Sequence, residues 1–155
     1  MKFTYPQRRE WKSAAQRSVL MGTHGMVAAS QPLATLAGYK MLLKGGNAVD
    51  AAVAMVSVLS VVEPHSVGLG GDAFALIYLA GEKRLIGMNA SGRAPYRATI
   101  NWFRERGMDE IPERGILTVT VPGALHGWAQ ALERYGTFRL GDVFEDAIDC
   151  AENGF

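Results

Sequence analysis

At 155 residues, the chain has the size of one ordinary domain and is long enough to bury a hydrophobic core. Hydrophobic residues make up 48% and charged residues 20%, which is typical of a globular protein in water. The formal net charge of +1 gives no reason to expect nucleic acid or an anionic membrane as a partner. The single cysteine, Cys150, excludes an internal disulfide and fits a reducing compartment.

We expect residues 1–24 to form an irregular polar leader and residues 25–155 to form the folded part of the chain. Charged residues are spread through the leader, which has no apolar run long enough for a signal peptide. The most apolar stretch, at residues 51–62, is about twelve residues long, whereas a helix that crosses a bilayer needs roughly twenty. The sequence therefore predicts a cytoplasmic protein without a membrane segment.

The first part of the folded region is predicted to be a strand followed by a helix. A short apolar run at residues 25–30 favours a buried strand. Ser30 stands two residues before Pro32, and proline is favoured in the first turn of a helix, so a helix is predicted to begin at Ser30. Lys44 followed by Gly45 and Gly46 predicts where this helix ends.

A second, strongly apolar helix is predicted at Ala48–Val62. Asn47 is a favourable N-cap, and Asp50 brings a negative charge to the positive end of the helix dipole. Because this helix has almost no polar face, we expect other elements to cover it on all sides. Glu63 precedes Pro64 and should therefore end the helix.

A β-hairpin is predicted next, with strands at Phe74–Leu79 and Arg84–Asn89. Both strands are mainly apolar without alternation, so we expect both faces of the hairpin to be covered. The remaining predicted elements are a helix at residues 99–106, a strand at 117–121, and helices at Ala124–Tyr135 and 141–152. In the first of these, Ile100 and Phe103 should face inward. Apolar strands and helices in this order indicate a layered α/β (α+β) sandwich.

The sequence gives no indication of a metal or a cofactor. His24, His65 and His126 are far apart and lack cysteine or acidic partners at metal-ligand spacing, so we expect structural roles for them. Residues 68–73 formally match the dinucleotide fingerprint, but a helix is predicted before them and a strand after them. This order is the reverse of the one that brings a pyrophosphate to a helix N-terminus.

Arg93 is a candidate for binding a substrate group. It follows the second hairpin strand, and its planar guanidinium can hold a carboxylate through two parallel hydrogen bonds; the alternative is a surface salt bridge. Glu63 and Asp72 flank the preceding glycine-rich loop, and we expect both carboxylates to accept hydrogen bonds from loop amides. The hydroxyl groups of this region have no visible base and are weak candidates for a nucleophile. They belong to Ser91, Thr118 and Thr120.

Four glycine-containing motifs stand in order along the chain. They are Lys44-Gly45-Gly46-Asn47-Ala48-Val49-Asp50-Ala51-Ala52, Glu63-Pro64-His65-Ser66-x-Gly68-x-Gly70-Gly71, Gly92-Arg93-Ala94-Pro95 and Val121-Pro122-Gly123-x-x-x-Gly127. With shorter matches around them, these motifs resemble the γ-glutamyltranspeptidase family from about residue 25 to residue 155. The resemblance implies an N-terminal-nucleophile hydrolase with an αββα sandwich, which is incomplete in this chain. It also implies a precursor that cuts itself into a large and a small subunit.

The resemblance further implies the chemistry. In the family, the N-terminal threonine of the small subunit attacks a γ-glutamyl amide, with its own α-amine as the base. The acyl-enzyme then passes the γ-glutamyl group to water, an amino acid or a peptide, and glutathione is the usual donor. This chain resembles the beginning of the large subunit, so we expect the threonine downstream and no catalytic residue here. The Thr23-His24 pair stands on the wrong side of the first motif to be that nucleophile.

The family holds the substrate carboxylate with an arginine that commonly stands in an Arg-Glu-x-Ala-Pro arrangement. Arg93 is the arginine available before Ala94-Pro95, whereas an ungapped match puts Ser91 in the arginine's place. This departure resembles the γ-glutamyltranspeptidase-like and acylase branches of the family, which share the fold and the nucleophile but not always the substrate.

The leading hypothesis is the N-terminal segment of an enzyme that transfers or hydrolyses the γ-glutamyl group of glutathione-type amides, with Arg93 as a substrate-binding residue. One alternative is an acylase or amidase of the same fold that acts on another amide. The other is a catalytically inert truncated fragment. The expected partners are the rest of the precursor or small subunit and a γ-glutamyl compound such as glutathione, without nucleic acid or membrane.

Overall fold

The structure, a computed structural model, describes residues 19–155, which contain five α-helices and one β-hairpin. In chain order these are α1 (Pro32–Leu43), α2 (Ala48–Val62), β1 (Phe74–Leu79), β2 (Arg84–Asn89), α3 (Ile100–Arg104), α4 (Ala124–Tyr135) and α5 (Leu140–Asn153). This combination of helices and strands confirms the predicted α+β class. Most of the predicted leader, residues 1–24, lies outside the described residues, so the division of the chain at residue 25 stays a prediction.

Caps at both ends define helix α1. Pro32 is its first residue, two positions after the predicted start at Ser30. The N-cap is Gln31, whose Oε1 accepts from an amide of the first turn at 3.2 Å. At the other end, Gly45 has a φ of +90°, a conformation that glycine adopts easily. Gly46 N–H then donates to a carbonyl of the last turn at 2.9 Å. This Schellman arrangement ends the helix where the sequence predicted.

Helix α2 lies at the centre of the hydrophobic core and packs against α1, α4 and α5. Its fully or largely buried apolar side chains are Val49, Ala51, Val53, Ala54 and Val58. Burying a valine side chain contributes about 1.5–3 kcal/mol to folding, so this helix supplies a large part of the core's stability. Within residues 19–155, no helix is both long and apolar enough to cross a membrane.

A buried carboxylate joins the start of α2 to the turn between α4 and α5. Asp50 is fully buried, and its Oδ2 accepts from Asn47 N at 2.7 Å, which completes a capping box. Asp50 Oδ1 accepts from Thr137 N at 2.8 Å and from Phe138 N at 3.0 Å. The Thr137 hydroxyl donates to Asp50 Oδ2 at 2.8 Å. We call these four residues the Asp50 lock.

The electrostatics of the Asp50 lock favour an ionised carboxylate. Burial by itself raises the pKa of Asp50, because the carboxylate loses its hydration. The amides of Phe138, Asn47 and Thr137 outweigh burial and bring this pKa below its ordinary value of 3.8. Asp50 is therefore charged at neutral pH, and the surrounding N–H and O–H donors replace the water it has lost.

The hairpin has the predicted strands, and its register pairs Phe74 with Asn89 at the end nearest the core. Only one face of the hairpin packs on the rest of the described chain. On the other face, Phe74, Leu76 and Tyr78 expose 70%, 77% and 62% of their surfaces. The expectation that both faces are covered is wrong for residues 19–155, because they contain no second layer on that side.

Two predicted strands do not form within the described residues. Residues 25–30 are irregular, and residues 117–121 begin in a turn of 3₁₀-helix at Ile116–Thr118 and continue without regular structure. A strand needs a neighbour to satisfy its backbone groups, and in this part of the chain β1 and β2 pair with each other alone. In α3, Phe103 is buried as predicted, but the inward prediction for Ile100 is wrong because this five-residue helix leaves it 70% exposed.

The Asp50 lock should contribute strongly to stability. Asp50→Ala removes the acceptor of three amides and one hydroxyl, and each buried donor left unsatisfied costs about 1–3 kcal/mol. We expect this variant of the full-length protein to lose about 3 kcal/mol or more of its unfolding free energy in urea titrations.

Asp142→Ala is the matched control for this measurement. Asp142 occupies the corresponding position in α5, but it is exposed and accepts from Arg139 N at 3.3 Å. Its replacement should cost about 1 kcal/mol or less. If Asp50→Ala were no more destabilising than Asp142→Ala, the lock would not have the role assigned to it.

The lock also predicts how stability depends on pH. The pKa of Asp50 is lower in the folded than in the unfolded protein, so its stabilising contribution is present above pH 3.8 and is lost as the pH falls below that value. Between about pH 5 and about pH 3, the unfolding free energy should decrease more for the wild-type protein than for Asp50→Asn, which cannot ionise there. Equal decreases in urea titrations at the two pH values would contradict this expectation.

Candidate functional site

Three separated segments meet where the hairpin leaves the core: residues 71–73 before β1, residues 90–93 after β2, and residues 120–124 at the start of α4. We call these segments the loop junction. Ala73 and Ala90 exchange backbone hydrogen bonds of 3.3 Å and 2.8 Å, which extend the hairpin ladder by one pair. The junction therefore brings together parts of three motifs that lie far apart in the sequence.

A backbone carbonyl of the loop junction caps helix α4. The first amides of a helix have no partners within the helix itself. Gly71 O accepts from Gly123 N at 3.2 Å and from Ala124 N at 2.9 Å. Because the N-cap residue Gly123 has no side chain to accept these bonds, the Gly71 carbonyl takes that role and holds α4 against the start of β1.

Asp72 connects all three segments of the loop junction. Its Oδ1 accepts from Gly92 N at 2.9 Å and from the Thr120 hydroxyl at 2.8 Å. The Gly92 amide, followed by the Thr120 hydroxyl, holds the pKa of Asp72 below its ordinary value of 3.8. An exposed but ionised carboxylate thus joins the chain before β1 to the chain after β2 and to the segment that leads into α4. The expectation that Asp72 binds a loop amide is confirmed.

The close contact between residues 90–93 and residues 120–124 requires glycine at position 92. A Cβ atom built on Gly92 would overlap the carbonyl oxygen of Val121 and would lie 2.9 Å from Thr120 Oγ1. Val121 N–H donates to Arg93 O at 3.1 Å, which holds the two segments side by side. Gly92 is therefore enclosed between the Asp72 carboxylate and the Val121 backbone.

Arg93, the predicted substrate-binding residue, follows Gly92 in the loop junction. Its side chain is exposed and forms no ion pair with any residue between 19 and 155. Ser91, on the other side of Gly92, is half-buried, and its amide donates to Asn89 Oδ1 at 2.9 Å. The junction thus presents a guanidinium group on a backbone that is held on both sides. Chemically, such a group can bind an anion, and a carboxylate in particular.

The histidines do not gather at the loop junction. His24, His65 and His126 are exposed, and within residues 19–155 no cluster of three or more histidine, cysteine or acidic side chains could hold a metal ion. Glu63 Oε2 accepts from Ser30 Oγ at 2.8 Å, so the expectation that it binds loop amides is wrong. It joins the end of α2 to the chain before α1 instead.

The sequence did not predict the pair of Asp72 and Thr120, because no base was recognisable near the hydroxyl groups of this region. Thr120 is 48 residues from Asp72 in the chain, and no short motif contains both. The carboxylate is a weak base because its pKa is lowered, and its bound oxygen also accepts from Gly92. The pair is therefore better suited to holding the loops in place than to activating Thr120 as a nucleophile.

A hollow of about 830 Å³ lies beside the loop junction, between α2, β1 and α4. Its walls are mainly apolar and include Ala52 and Val56 of α2, Ile77 of β1 and Trp128 of α4. Arg93 does not line this hollow, so the candidate anion-binding group and the apolar space are separate features. Apolar side chains of this kind exclude water but offer no partner to a charged substrate group.

Comparisons with known proteins show what the sequence and the fold are similar to. A family model described as gamma-glutamyltranspeptidase matches residues 34–155. The chain is 44% identical over 137 residues to the glutathione hydrolase-like YwrD proenzyme of Bacillus subtilis (strain 168), a match covering 88% of this chain and 26% of that protein. It is 43% identical over 144 residues to the acylase ACY 1 proenzyme of Pseudomonas sp. (strain V22), with coverages of 86% and 25%.

Among solved structures, a cephalosporin acylase from Bacillus halodurans matches with a TM-score of 0.85 and 42% identity, covering 98% of this chain and 28% of that one. The chain thus spans about a quarter of the length of the relatives it matches. The matched residues 34–155 include the Asp50 lock and the whole loop junction. On this agreement of sequence and fold, the chain belongs to the γ-glutamyltranspeptidase family.

Proposed function

We propose that the full-length protein transfers or hydrolyses the γ-glutamyl group of glutathione-type amides. The observation that carries this proposal is the exposed guanidinium of Arg93, on a loop held between Asp72 and Val121. A γ-glutamyl donor carries a free α-carboxylate, which is the kind of group that an arginine binds through two parallel hydrogen bonds. The similarity to a glutathione hydrolase-like proenzyme supports the same substrate class.

In the proposed reaction, a threonine downstream of residues 1–155 supplies the nucleophile. Its hydroxyl oxygen bonds to the γ-carbonyl carbon, and the hydroxyl proton passes through the threonine α-amine to the leaving amine as the amide bond breaks. Water or an acceptor amine then attacks the ester, releases glutamate or a new γ-glutamyl amide, and returns the proton to the threonine. The small subunit that carries this threonine is the proposed partner of the segment.

Arg93 would contribute to binding rather than to bond breaking. The α-carboxylate lies three carbons away from the reacting γ-carbonyl, and its charge does not change when the amide is attacked. An interaction of equal strength in the ground state and the transition state lowers KM and leaves kcat largely unchanged. Residues 1–155 alone should be inactive, because the nucleophile and the oxyanion-stabilising groups must be present together.

Activity measurements on a chromogenic γ-glutamyl anilide would test the role of Arg93. In the full-length protein, we expect Arg93→Ala to raise KM about tenfold or more, since charged hydrogen bonds are lost, while kcat changes little. Arg97→Ala is the matched control, because Arg97 is an exposed arginine outside the loop junction, and its KM should match that of the wild-type protein. A fully active Arg93→Ala variant would remove this arginine from the site.

A second candidate function is that of an acylase or amidase acting on an amide without a γ-glutamyl group. Ser91 favours it, because this half-buried serine stands where the family's usual arrangement has the carboxylate-binding arginine. The similarity to acylase ACY 1 and to a cephalosporin acylase supports it as well. Both candidates share the threonine chemistry and differ in what the loop junction binds.

Substrate comparison and the Ser91→Arg variant would separate the two candidates. The γ-glutamyl enzyme should cleave a γ-glutamyl anilide at least about tenfold more efficiently than a butyryl anilide, which lacks the α-amino and α-carboxyl groups. An acylase should show the opposite preference, and Ser91→Arg should shift it towards the γ-glutamyl substrate by adding a carboxylate partner. Preferential cleavage of the butyryl anilide by the self-cleaved wild-type protein would replace the first proposal by the second.

A further inference from the structure

We propose that Asp72 is a positioning residue, which sets the location of Ser91 and Arg93 through its hydrogen bonds to the Gly92 amide and the Thr120 hydroxyl. This inference rests on the proposed function, because it assigns Asp72 a role in substrate binding at the same loop junction. It extends that proposal by naming a residue that acts through the loop and does not need to touch the substrate.

Hydrogen bonds on both sides hold the backbone at Asp72 in place. Asp72 precedes Ala73, whose paired backbone hydrogen bonds with Ala90 continue the ladder of β1 and β2. On its other side, Gly71 O is bound to the first amides of α4. The backbone at Asp72 is therefore tied to the hairpin and to a core helix, which gives its Oδ1 a defined place from which to hold Gly92.

Gly92 is the one residue between Ser91 and Arg93, so its position controls both. The Asp72 carboxylate holds its amide at 2.9 Å, and the Val121 carbonyl lies against its Cα. Without the acceptor at Asp72, the amide would turn towards water and the enclosed glycine could move. Any such movement displaces the serine and the arginine together, because they are joined to Gly92 by rigid peptide groups.

Thr120 provides a second connection between Asp72 and the backbone of Arg93. Its hydroxyl donates to the same Asp72 oxygen at 2.8 Å, and the next residue, Val121, donates its amide to Arg93 O at 3.1 Å. The segment that leads into α4 is therefore attached both to Asp72 and to the backbone of Arg93. Loss of the Thr120 hydroxyl should loosen the junction less than loss of the carboxylate, because the Gly92 bond remains.

Charge argues against direct contact between Asp72 and the substrate's carboxylate. An ionised carboxylate repels another one nearby, so placing Asp72 against that group would oppose the binding that Arg93 provides. The hydrogen bonds of Asp72 need an acceptor oxygen but not a full negative charge. Asparagine offers such an oxygen with nearly the same shape, whereas alanine offers none.

Steady-state kinetics of the full-length protein would test the positioning role, using whichever of the two anilides it cleaves. We expect Asp72→Ala to raise KM about tenfold with kcat within about twofold, and Asp72→Asn to restore KM to within about threefold of the wild-type value. Thr120→Val should lie between them. Asp109→Ala, which removes an exposed carboxylate outside the junction, is the matched control and should behave like the wild-type protein.

Two kinetic outcomes would overturn the inference. An unchanged KM in Asp72→Ala would show that substrate binding does not depend on this residue. An Asp72→Asn variant as impaired as Asp72→Ala would show that the charge itself is needed, as expected for a residue that contacts a cationic substrate group. A third outcome would separate this inference from the proposed function. If Arg93→Ala leaves KM unchanged and Asp72→Ala raises it, Arg93 does not bind the substrate, but the loop junction still does.

Hydrogen exchange provides a readout that does not depend on activity. In the full-length protein, the peptide containing Gly92 should exchange faster in Asp72→Ala than in the wild-type protein, because its amide loses its acceptor. Asp72→Asn should keep the protection, and peptides of α5 should be unchanged in both variants. Equal exchange at Gly92 in all three proteins would overturn the inference even if the enzyme acted on neither anilide.

Discussion

The buried carboxylate of Asp50 is the constraint on which the rest of the structure depends. It ties the first turn of the central helix α2 to the turn between α4 and α5, and all three helices contribute to one core. A charge in such a place is tolerated because several donors surround it, and it would be costly if any of them were absent. The lock therefore specifies one relative arrangement of the helices, whereas apolar packing alone would accept several.

Helix α4 connects the Asp50 lock to the loop junction. The C-terminal end of this helix adjoins the lock, where Asn47 Nδ2 donates to Tyr135 O at 2.6 Å. Its N-terminal end is held by Gly71 O, one residue before Asp72. Helix α4 is thus attached to the core at one end and to the candidate site at the other. The position of Arg93 is thus linked, through α4, to the buried hydrogen bonds of the Asp50 lock.

The parts of the fold that could be predicted from sequence are those determined by nearby residues. Asn47 and Asp50 define the start of α2, Gly45 ends α1, and the apolar runs around a short turn define the hairpin, so these bounds agree with the structure. The strand expected at residues 117–121 fails because strand formation depends on a partner elsewhere. For the same reason, the candidate site could be predicted only in part. Arg93 could be predicted because it stands just after a strand, between a glycine and a proline. The contact between Asp72 and Thr120 could not, because these residues are 48 positions apart in the chain.

The open face of the hairpin has a consequence for how residues 19–155 behave on their own. Within residues 19–155, β1 carries a strand neighbour on one edge only, and Phe74, Leu76 and Tyr78 lie on an uncovered face next to that free edge. Edge strands of this kind readily pair with copies of themselves. Residues 19–155 produced on their own would accordingly associate with one another through this free strand edge.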